Sequence, residues 1–583
     1  MENGEIARIF EEVADLLAIQ DANPFRVRAY RNAARTVAAQ ARPLRDLVAE
    51  GADLTDLPDV GTDIARYITE LVQDGRLSVL DTVTREVPRS LATLVQLPGV
   101  GPGKARKLWR ALGITTIDAL EQAARDGEIA RLEGFGTKTQ EKILKAIAEH
   151  RRHTERRKLS EADEQAEPLL AWLRTHDAVQ RVEVAGSFRR RVETIGDLDL
   201  LVIADDAASV TEHFTAYDRV REVQGSGETR TTVILDSGLQ VDLLILPEET
   251  YGAAMVYFTG SKEHNVKFRK RGVARGLRIS EYGVFRVPED EDPEHADPQS
   301  GERIAGRTEE DVYGALDLPW IPPELREDRG ELDAAAAGTL PDLITLDDIR
   351  GDLQMHSDWS DGKNTIEEMV EACAERGYEY LAMTDHSQNL AMIRGLDRDA
   401  VQKQWKQIDR IQADHHEVRL LKSVEIDILK DGTLDLDDDL REQLDVVLVS
   451  IHSHFDLPAA EQTRRIVRAL EQGRVHILAH PTGRKINRRE PMAFDLDDVL
   501  HCAKEQGVAV ELNANPSRLD LKDTQLMRAR ELGVKVVIST DAHRTKDLPL
   551  MRYGVDQARR AWLESKHVIN TWPWKRLAKF LGR

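Results

Sequence analysis

The stretch AGSFRRRVETIGDLDLLVI, Ala185 to Ile203, decides how this chain is read. It joins a strand-like run, VEVA (Val182 to Ala185), to a second one, LDLLVI (Leu198 to Ile203), with a Gly186-Ser187 turn after the first and an Asp-x-Asp opening the second. Residues two apart on a strand point to one face, so Asp197 and Asp199 project together while Leu198 turns inward. Carboxylates held side by side repel each other and call for cations. Two Mg²⁺ or Mn²⁺ ions roughly 4 Å apart, clamping the attacking and leaving oxygens of a phosphoryl transfer, are what this arrangement serves. A third carboxylate, Asp242 in QVDLLIL, lies on a later strand expected beside theirs, where it either completes a metal site or takes the proton of the attacking hydroxyl. Asp-x-Asp alone is common at strand ends; joined to Gly186-Ser187 across nine intervening residues, and to Asp242, it becomes specific.

Upstream, a pattern Leu-x-x-ϕ-Gly recurs as LPDVGTDIARYI (Leu57 to Ile68), LPGVGPGKARKLW (Leu97 to Trp109) and LEGFGTKTQEKIL (Leu132 to Leu144). In each copy glycine permits the turn after one helix and a second helix starts at once, a helix-hairpin-helix pattern. One copy alone is as well explained by a structural αα-corner. Three copies favour sequence-independent contact with a nucleic-acid backbone, because the N–H groups opening the second helix suit a phosphate. The residues expected at this contact are Gly61, Gly99, Gly101, Lys104, Gly134, Gly136 and Lys138. Further basic clusters follow at Arg151, Arg152, Arg156, Arg157 and Lys158 and from Lys262 to Arg278.

Downstream, strand-like runs TTVIL (Thr231 to Leu235) and VDLLIL (Val241 to Leu246) continue the α+β texture. An acidic, Pro-rich stretch from Pro288 to Glu302 reads as an exposed loop, and Ala-Gly-rich sequence from Leu332 to Thr339 as an interdomain linker. Beyond Asp348, seven apolar runs alternate with helical patterns, which demands a parallel sheet or barrel. Gln354, His356, Asp361, His386, Glu425, His452, His480, Asp541 and His543 all fall at or just beyond the C-terminal ends of these runs, where a β/α barrel builds its site. Single histidines are usually ordinary core or surface residues; the same chemistry on every strand end points to one metal centre. Imidazole mixed with carboxylate suits Zn²⁺, Mn²⁺ or Fe²⁺, and clustered divalent ions yield hydroxide near neutral pH.

With GSFRR, GDLDLL, QVDLLIL, YFTGSKEHNVKFR and EYGVF, residues 1 to about 325 resemble a family X DNA polymerase of the bacterial and archaeal type. The sequence from Asp352 to about His543 resembles a polymerase-and-histidinol-phosphatase (PHP) domain, and the whole chain the bacterial family X polymerases that carry one. The resemblance implies that Asp197, Asp199 and Asp242 bind the catalytic metals and that Ser187 and Arg190 hold the triphosphate beside Gly186 and Gly196. It implies that Tyr257, Phe258, Gly260 and Asn265 line the sugar and base pocket, while Arg269 reaches the template. In the PHP domain Glu425 would bridge two metals, His356 and Asp541 hold the first, His452 and His480 the second, and Asp361, His386 and His543 a third. Implied activities are gap-filling deoxynucleotide addition in DNA repair and Mn²⁺-dependent 3′-to-5′ exonuclease action with cleanup of blocked 3′ ends or abasic sites.

The expected architecture is multidomain. An all-α helix-hairpin-helix region is divided into an N-terminal domain (1–90) and a fingers-like domain (91–158). An α+β nucleotidyltransferase palm (159–255), a thumb (256–325), a linker (326–348) and a C-terminal distorted (β/α)7 barrel (349–575) follow. Expected ligands are gapped or nicked DNA, dNTPs, two Mg²⁺ or Mn²⁺ ions, and up to three Mn²⁺ or Zn²⁺ ions in the PHP site. Three departures stand out. Asp63 and Tyr67 occupy the positions where animal relatives carry a Schiff-base lysine, so deoxyribose-phosphate lyase activity is not expected. Leu244 stands where some relatives have a basic residue near Asp242, and Gln354-Met355-His356 replaces the usual His-x-His, offering a weaker first ligand.

Composition sets bounds on all this. At 583 residues several domains are expected, and no run reaches the ~20 apolar residues of a membrane span. Glu2 and Glu5 sit where a signal peptide would be basic, and Cys373 and Cys502 cannot make a disulfide framework, so a reducing cytoplasm, near the nucleoid, is the expected compartment. A formal charge of −22 excludes polyanion binding over the whole surface but not in local basic clefts, because distant charges are screened beyond about 8 Å. A monomer is expected.

Overall fold

The computed structural model describes residues 3–583 apart from 40–43, 50, 58–59, 96, 98, 155, 228, 289, 296 and 390–394. Pro58, Asp59 and Pro98 of the repeated motif, and the side chains of Arg151 and Arg152, lie outside the described residues. The chain divides into two compact units, Met1–Glu155 and Arg156–Arg583.

The first unit is helical. Its helices are mostly short, and isolated helices of such length are marginal in water, so they hold by packing apolar faces together. One cluster does this, running from Ile6 and Phe10 through Leu71 and Leu97 to Ile143 and Ile147. Segments 1–90 and 91–158, expected as separate domains, therefore share a single core. The hairpins form as read: Gly61 and Gly101 cap the helices Thr62–Asp74 and Pro102–Leu112 with no side-chain hydrogen bond at either cap, and Thr137–Thr154 opens after Gly136. Gly99 (φ 86°) and Gly134 (φ 83°) take the left-handed turn conformation that favours glycine.

The second unit begins with a five-stranded sheet in the order Val179–Val184, Asp197–Ala204, Gln240–Leu246, Arg230–Leu235, Val220–Ser226. The helices Leu159–Leu173 and Ala207–Thr215 cover one face, and Tyr251–Thr259 packs on the other. A smaller antiparallel sheet follows (Leu277–Ser280, Gly283–Arg286, Glu302–Ala305), and the acidic stretch between its last two strands is mainly exposed, as expected. The stretch read as a linker is different. Glu331–Ala336 is a helix whose Leu332 and Ala335 join Leu343 in the same cluster as Val256, Phe268 and Val312, and Arg326 is fully buried. Alanine and leucine at helical spacing gave this segment an apolar face to bury, so it is part of the folded body.

The C-terminal part holds two all-parallel sheets, Gly351–Met355 with Tyr380–Met383 and Arg419–Lys422, then Glu425–Asp427 through Leu448–Ser450, Ile477–Leu478 and Ala509–Asn513 to Val536–Ser539. Bridges His386↔Glu425 and Met355↔Ala542 link the first sheet to both ends of the second. Inward-facing Leu353, Ala382, Leu448 and Val537 cluster with Trp572, Leu577 and Leu581, so the core continues past the expected end at 575. Ile486, Leu519 and Tyr553 of this part are buried in the apolar cluster of the first sheet. Among the described residues no helix is long and apolar enough to cross a membrane.

Candidate functional sites: a carboxylate centre and a histidine-carboxylate centre

The strands Asp197–Ala204 and Gln240–Leu246 run parallel in a register that sets Asp199 directly opposite Asp242. Asp197, Asp199 and Asp242 thus share one sheet face and one end. Burial, then the negative charges of Asp197 and Asp242, push the Asp199 carboxyl up to about 7. Three acids so placed are a centre short of positive charge, which divalent cations supply. Gly186 (φ 64°) lies against this group, and a Cβ there would stand 2.5 Å from Asp199 Oδ2. Only glycine allows that turn to approach.

Both oxygens of Asp242 accept hydrogen bonds, from Thr232 Oγ1 on one side and from Arg230 Nη2 (2.9 Å) and Gln240 Nε2 (3.2 Å) on the other. Arg230 is the cross-strand partner of Leu244. The positive charge missing at Leu244 therefore arrives from the neighbouring strand, a residue that sequence reading did not single out. Ser187 is half-buried in the short helix Gly186–Arg189, and Gly196 leads directly into the Asp197 strand. Arg190, expected on a triphosphate, is engaged within the protein: its Nε donates to Glu327 (2.9 Å) and its Nη1 to the Thr259 carbonyl (2.8 Å). Arg560 shares Glu327 at 2.8 Å. Tyr257 and Phe258 meet edge to face at 5.2 Å, and Asn265 Nδ2 donates to the carbonyls of Tyr257 (2.7 Å) and Gly260 (3.3 Å). A Cβ on Gly260 would run into the side chains of Asn265 and His264, so glycine lets both pack closely on this turn. Arg269 sits half-buried on the helix Lys262–Val273. Buried His264, hydrogen-bonded to Glu331 (2.6 Å) and Tyr313 (3.1 Å), anchors the start of that helix.

The second centre gathers ligands from nearly every strand end of the C-terminal sheets. Three groups converge: His356, Glu425 and Asp541; His386, Glu425 and His452; and His356, Asp361, His386 and His543. Glu425, fully buried, is shared: it lies 3.3 Å from His356, 3.4 Å from His386, 3.3 Å from His452 and 3.0 Å from His480. Burial, with His356 and His452 nearby, lowers His386 to about 4. At His452 burial acts the same way, but Glu425 and Asp427 outweigh it and lift it to about 9. The Nδ1 atoms of His356, His386 and His480 are buried without a hydrogen-bond partner. Orphaned imidazole nitrogens facing shared carboxylates are the donor set that divalent transition ions bind.

Around these ligands stand residues the sequence reading passed over. Asp427 accepts from the backbone N–H of His452 (3.1 Å), and Asp385 accepts from Ser357, Ser360 and Gln404, holding the loop after His356. Asn513 donates to Asp541 Oδ2 at 3.1 Å. Their signal was adjacency: each lies within two residues of a strand-end ligand or on the strand beside one. Gln354, expected as a weak ligand, is buried with its amide nitrogen turned to Glu511, 3.2 Å from Oε2, and Glu511 in turn accepts from His480 N–H at 2.6 Å. In that orientation the amide nitrogen ties Gln354 to Glu511 and leaves its oxygen as the atom a cation would use.

In the helical unit, Tyr67 stacks on Tyr30 at 6.2 Å with Arg66 over its ring, filling the place of the absent lysine. Lys104 turns back to donate to the Gly99 carbonyl at 2.8 Å, while Lys138 is exposed on the turn after Gly136.

Comparison with known proteins matches four family descriptions: helix-hairpin-helix domain (residues 1–77), SAM-like helix-hairpin-helix tandem (91–149), DNA polymerase beta thumb (254–327) and PHP domain (352–515). The DNA polymerase/3′-5′ exonuclease PolX of Bacillus subtilis (strain 168) is 39% identical over 585 aligned residues, which cover 100% of both chains. A probable phosphatase of Thermoanaerobacter sp. (strain X514) is 26% identical over 36% of this chain and 84% of its own length. DNA polymerase lambda of Arabidopsis thaliana is 25% identical over 47% of this chain and 53% of its own.

Proposed function

The chain belongs to the PolX family of DNA polymerases with a PHP domain, and from that membership we propose a repair enzyme that fills gaps at one centre and prepares 3′ ends at the other. The observation that carries this reading is the presence of two separate ligand sets, Asp197–Asp199–Asp242 and the cluster around Glu425, in one folded unit.

At the carboxylate centre, template-directed addition of a deoxynucleotide requires a primer hydroxyl to lose its proton and attack a triphosphate. Asp197, Asp199 and Asp242 would hold two Mg²⁺ or Mn²⁺ ions there, which would supply the charge that offsets the attacking and leaving oxygens. Ser187 and the N–H groups after Gly186 receive phosphate oxygens, and Arg190 joins them on leaving Glu327. Tyr257, Phe258 and the Gly260 turn fixed by Asn265 wall the sugar pocket, and Arg269 faces the template. Burial and the charges of Asp197 and Asp242 hold the Asp199 carboxyl up at about 7 until cations offset them.

At the second centre, which we read as the rim of a distorted seven-stranded β/α barrel, His356, Asp361, His386, Glu425, His452, His480, Asp541 and His543 would hold Mn²⁺ or Zn²⁺, which would supply Lewis-acid charge to a phosphodiester or phosphate monoester at a 3′ end, including ends left at abasic sites. Asp427, Asp385 and Asn513 keep the ligands oriented. The helix-hairpin-helix turns at Gly61, Gly101 and Gly136 hold the DNA backbone by their N–H groups. The working form is a cytoplasmic, nucleoid-associated monomer acting on gapped or nicked DNA.

The test is a reciprocal pair of variants. Asp197→Ala with Asp199→Ala abolishes nucleotide addition on gapped DNA and leaves 3′ resection; His356→Ala does the reverse. Loss of both activities in either variant refutes two independent centres.

A further inference from the structure

The rim of the histidine-carboxylate centre carries a group of cations that are not metal ligands, only one of which pairs with a ligand carboxylate. Lys485, Arg488 and Arg489 stand on the loop that follows His480, and none of them makes an ion pair among the described residues. Arg518, on the loop after the next strand, brings its Nε to 3.6 Å from Asp541 Oδ2. Partial burial, then the charges of Arg518 and Arg489, lower the pKa of the Lys485 ammonium. Lys485, Arg488 and Arg489, gathered beside Arg518 with no ion pair of their own among the described residues, are placed to take an anion from outside.

These loops are rigid. Lys485 and Arg489 exchange backbone hydrogen bonds (Lys485 N to Arg489 O 2.9 Å, Arg489 N to Lys485 O 2.8 Å), and Ile486 N donates to Ser517 O at 2.7 Å, tying the two loops together. Arg484 forks onto Glu193 of the palm at 3.1 and 2.6 Å, while Ile486 and Leu519 are buried in the palm core. An aromatic ring completes the rim. Phe455, three residues past the ligand His452, lies over Gly483 so closely that a Cβ there would stand 2.7 Å from it, and the Arg489 guanidinium stacks on its ring at 4.0 Å. The ring holds the Arg489 guanidinium in place beside Lys485, and cations fixed in this way on an aromatic side chain are what tracks a single-stranded backbone.

We propose that Lys485, Arg489, Arg518 and Phe455 form a cradle for a single DNA strand, taking the backbone phosphates on the 5′ side of the bond cut at the metal centre. The inference rests on the reading of that centre as a 3′ nuclease. It makes the substrate a strand with at least one phosphate beyond the scissile one, and it gives the centre a preference for polynucleotide ends over isolated phosphate esters.

The test uses the full-length, Mn²⁺-loaded enzyme and two substrates, a single-stranded 15-nucleotide DNA and thymidine 5′-(p-nitrophenyl phosphate), which has one phosphate and is too short to reach the cradle. In Lys485→Gln with Arg489→Gln, KM for the oligonucleotide rises about tenfold with kcat within about twofold, and the slope of log KM against log salt falls by about 0.7 for each phosphate that is no longer neutralised. KM for the small ester does not follow. Lys485→Arg with Arg489→Lys restores the oligonucleotide KM, and Phe455→Leu raises it by a smaller factor with no change in salt slope. Equal losses on both substrates, or an unmoved oligonucleotide KM and slope, overturn the cradle. His356→Ala separates the underlying reading: if that variant still hydrolyses both substrates at the wild-type rate, the nuclease centre lies elsewhere.

Discussion

The two centres of this molecule solve the problem of crowded acids in opposite ways. In the palm, three carboxylates face one another, and the consequence is an Asp199 carboxyl pushed up to about 7. In the C-terminal part the carboxylates of the candidate ligand set stand among imidazoles, and Glu425 and Asp361 are drawn below their usual range although burial alone would raise them. The acidic centre is electrostatically unfinished until cations arrive. The mixed centre neutralises itself, with His452 and His543 both lifted to about 9 by their carboxylate neighbours. Metal binding is therefore felt at the first site as relief of repulsion, and at the second as displacement of protons.

The largest test of this contrast is at Glu425. Glu425→Gln removes the carboxylate shared by two of the three ligand groups, so bound Mn²⁺ or Zn²⁺ measured by plasma emission falls by at least one ion per chain. Exonuclease turnover drops about a thousandfold, the scale of losing a group that stabilises developing charge, while primer extension persists. Next comes Gly186→Ala, which places a methyl on Asp199 at a left-handed φ; nucleotide addition falls about a hundredfold, as for a small displacement of reacting groups, with resection intact. If both activities fall together, the centres are not separable.

Smaller effects sharpen the difference. The apparent Mg²⁺ affinity of the palm site, followed by calorimetry, weakens as pH falls below the Asp199 value of about 7, by up to about tenfold per pH unit for one competing proton. An affinity flat between pH 8 and 6 contradicts the repulsion account. In metal-free protein the sign reverses for stability: an acid with a raised folded pKa destabilises as pH climbs from 3.8 toward about 7 and by a constant amount above it. Asp199→Asn therefore stabilises the metal-free chain at pH 8, by about 1 kcal/mol after solvent screening, and gains nothing at pH 4; thermal melts in chelator decide it.

Much of this was legible in the sequence because the signals are periodic or sit at strand ends. Alternation placed Asp197 and Asp199 on one face, and the β/α rhythm put each histidine after a strand. Partners contributed by another strand or loop were not legible. Arg230 reaches Asp242 only through the pairing that sets it beside Leu244, and Gln354 meets Glu511 from a strand far away in sequence. The stretch 326–348 looked like a linker because small residues signal flexibility when read alone; its burial depends on Val312 and Phe268, which no local pattern announces. Nor did any local pattern show that the two sets of helical repeats, matched by separate family descriptions over 1–77 and 91–149, share one apolar cluster.

Ile486, Leu519 and Tyr553 reach from the nuclease part into the apolar interior of the polymerase palm. Separating the two parts would expose this apolar surface to water on both fragments, so the shared cluster couples the folding of one to that of the other.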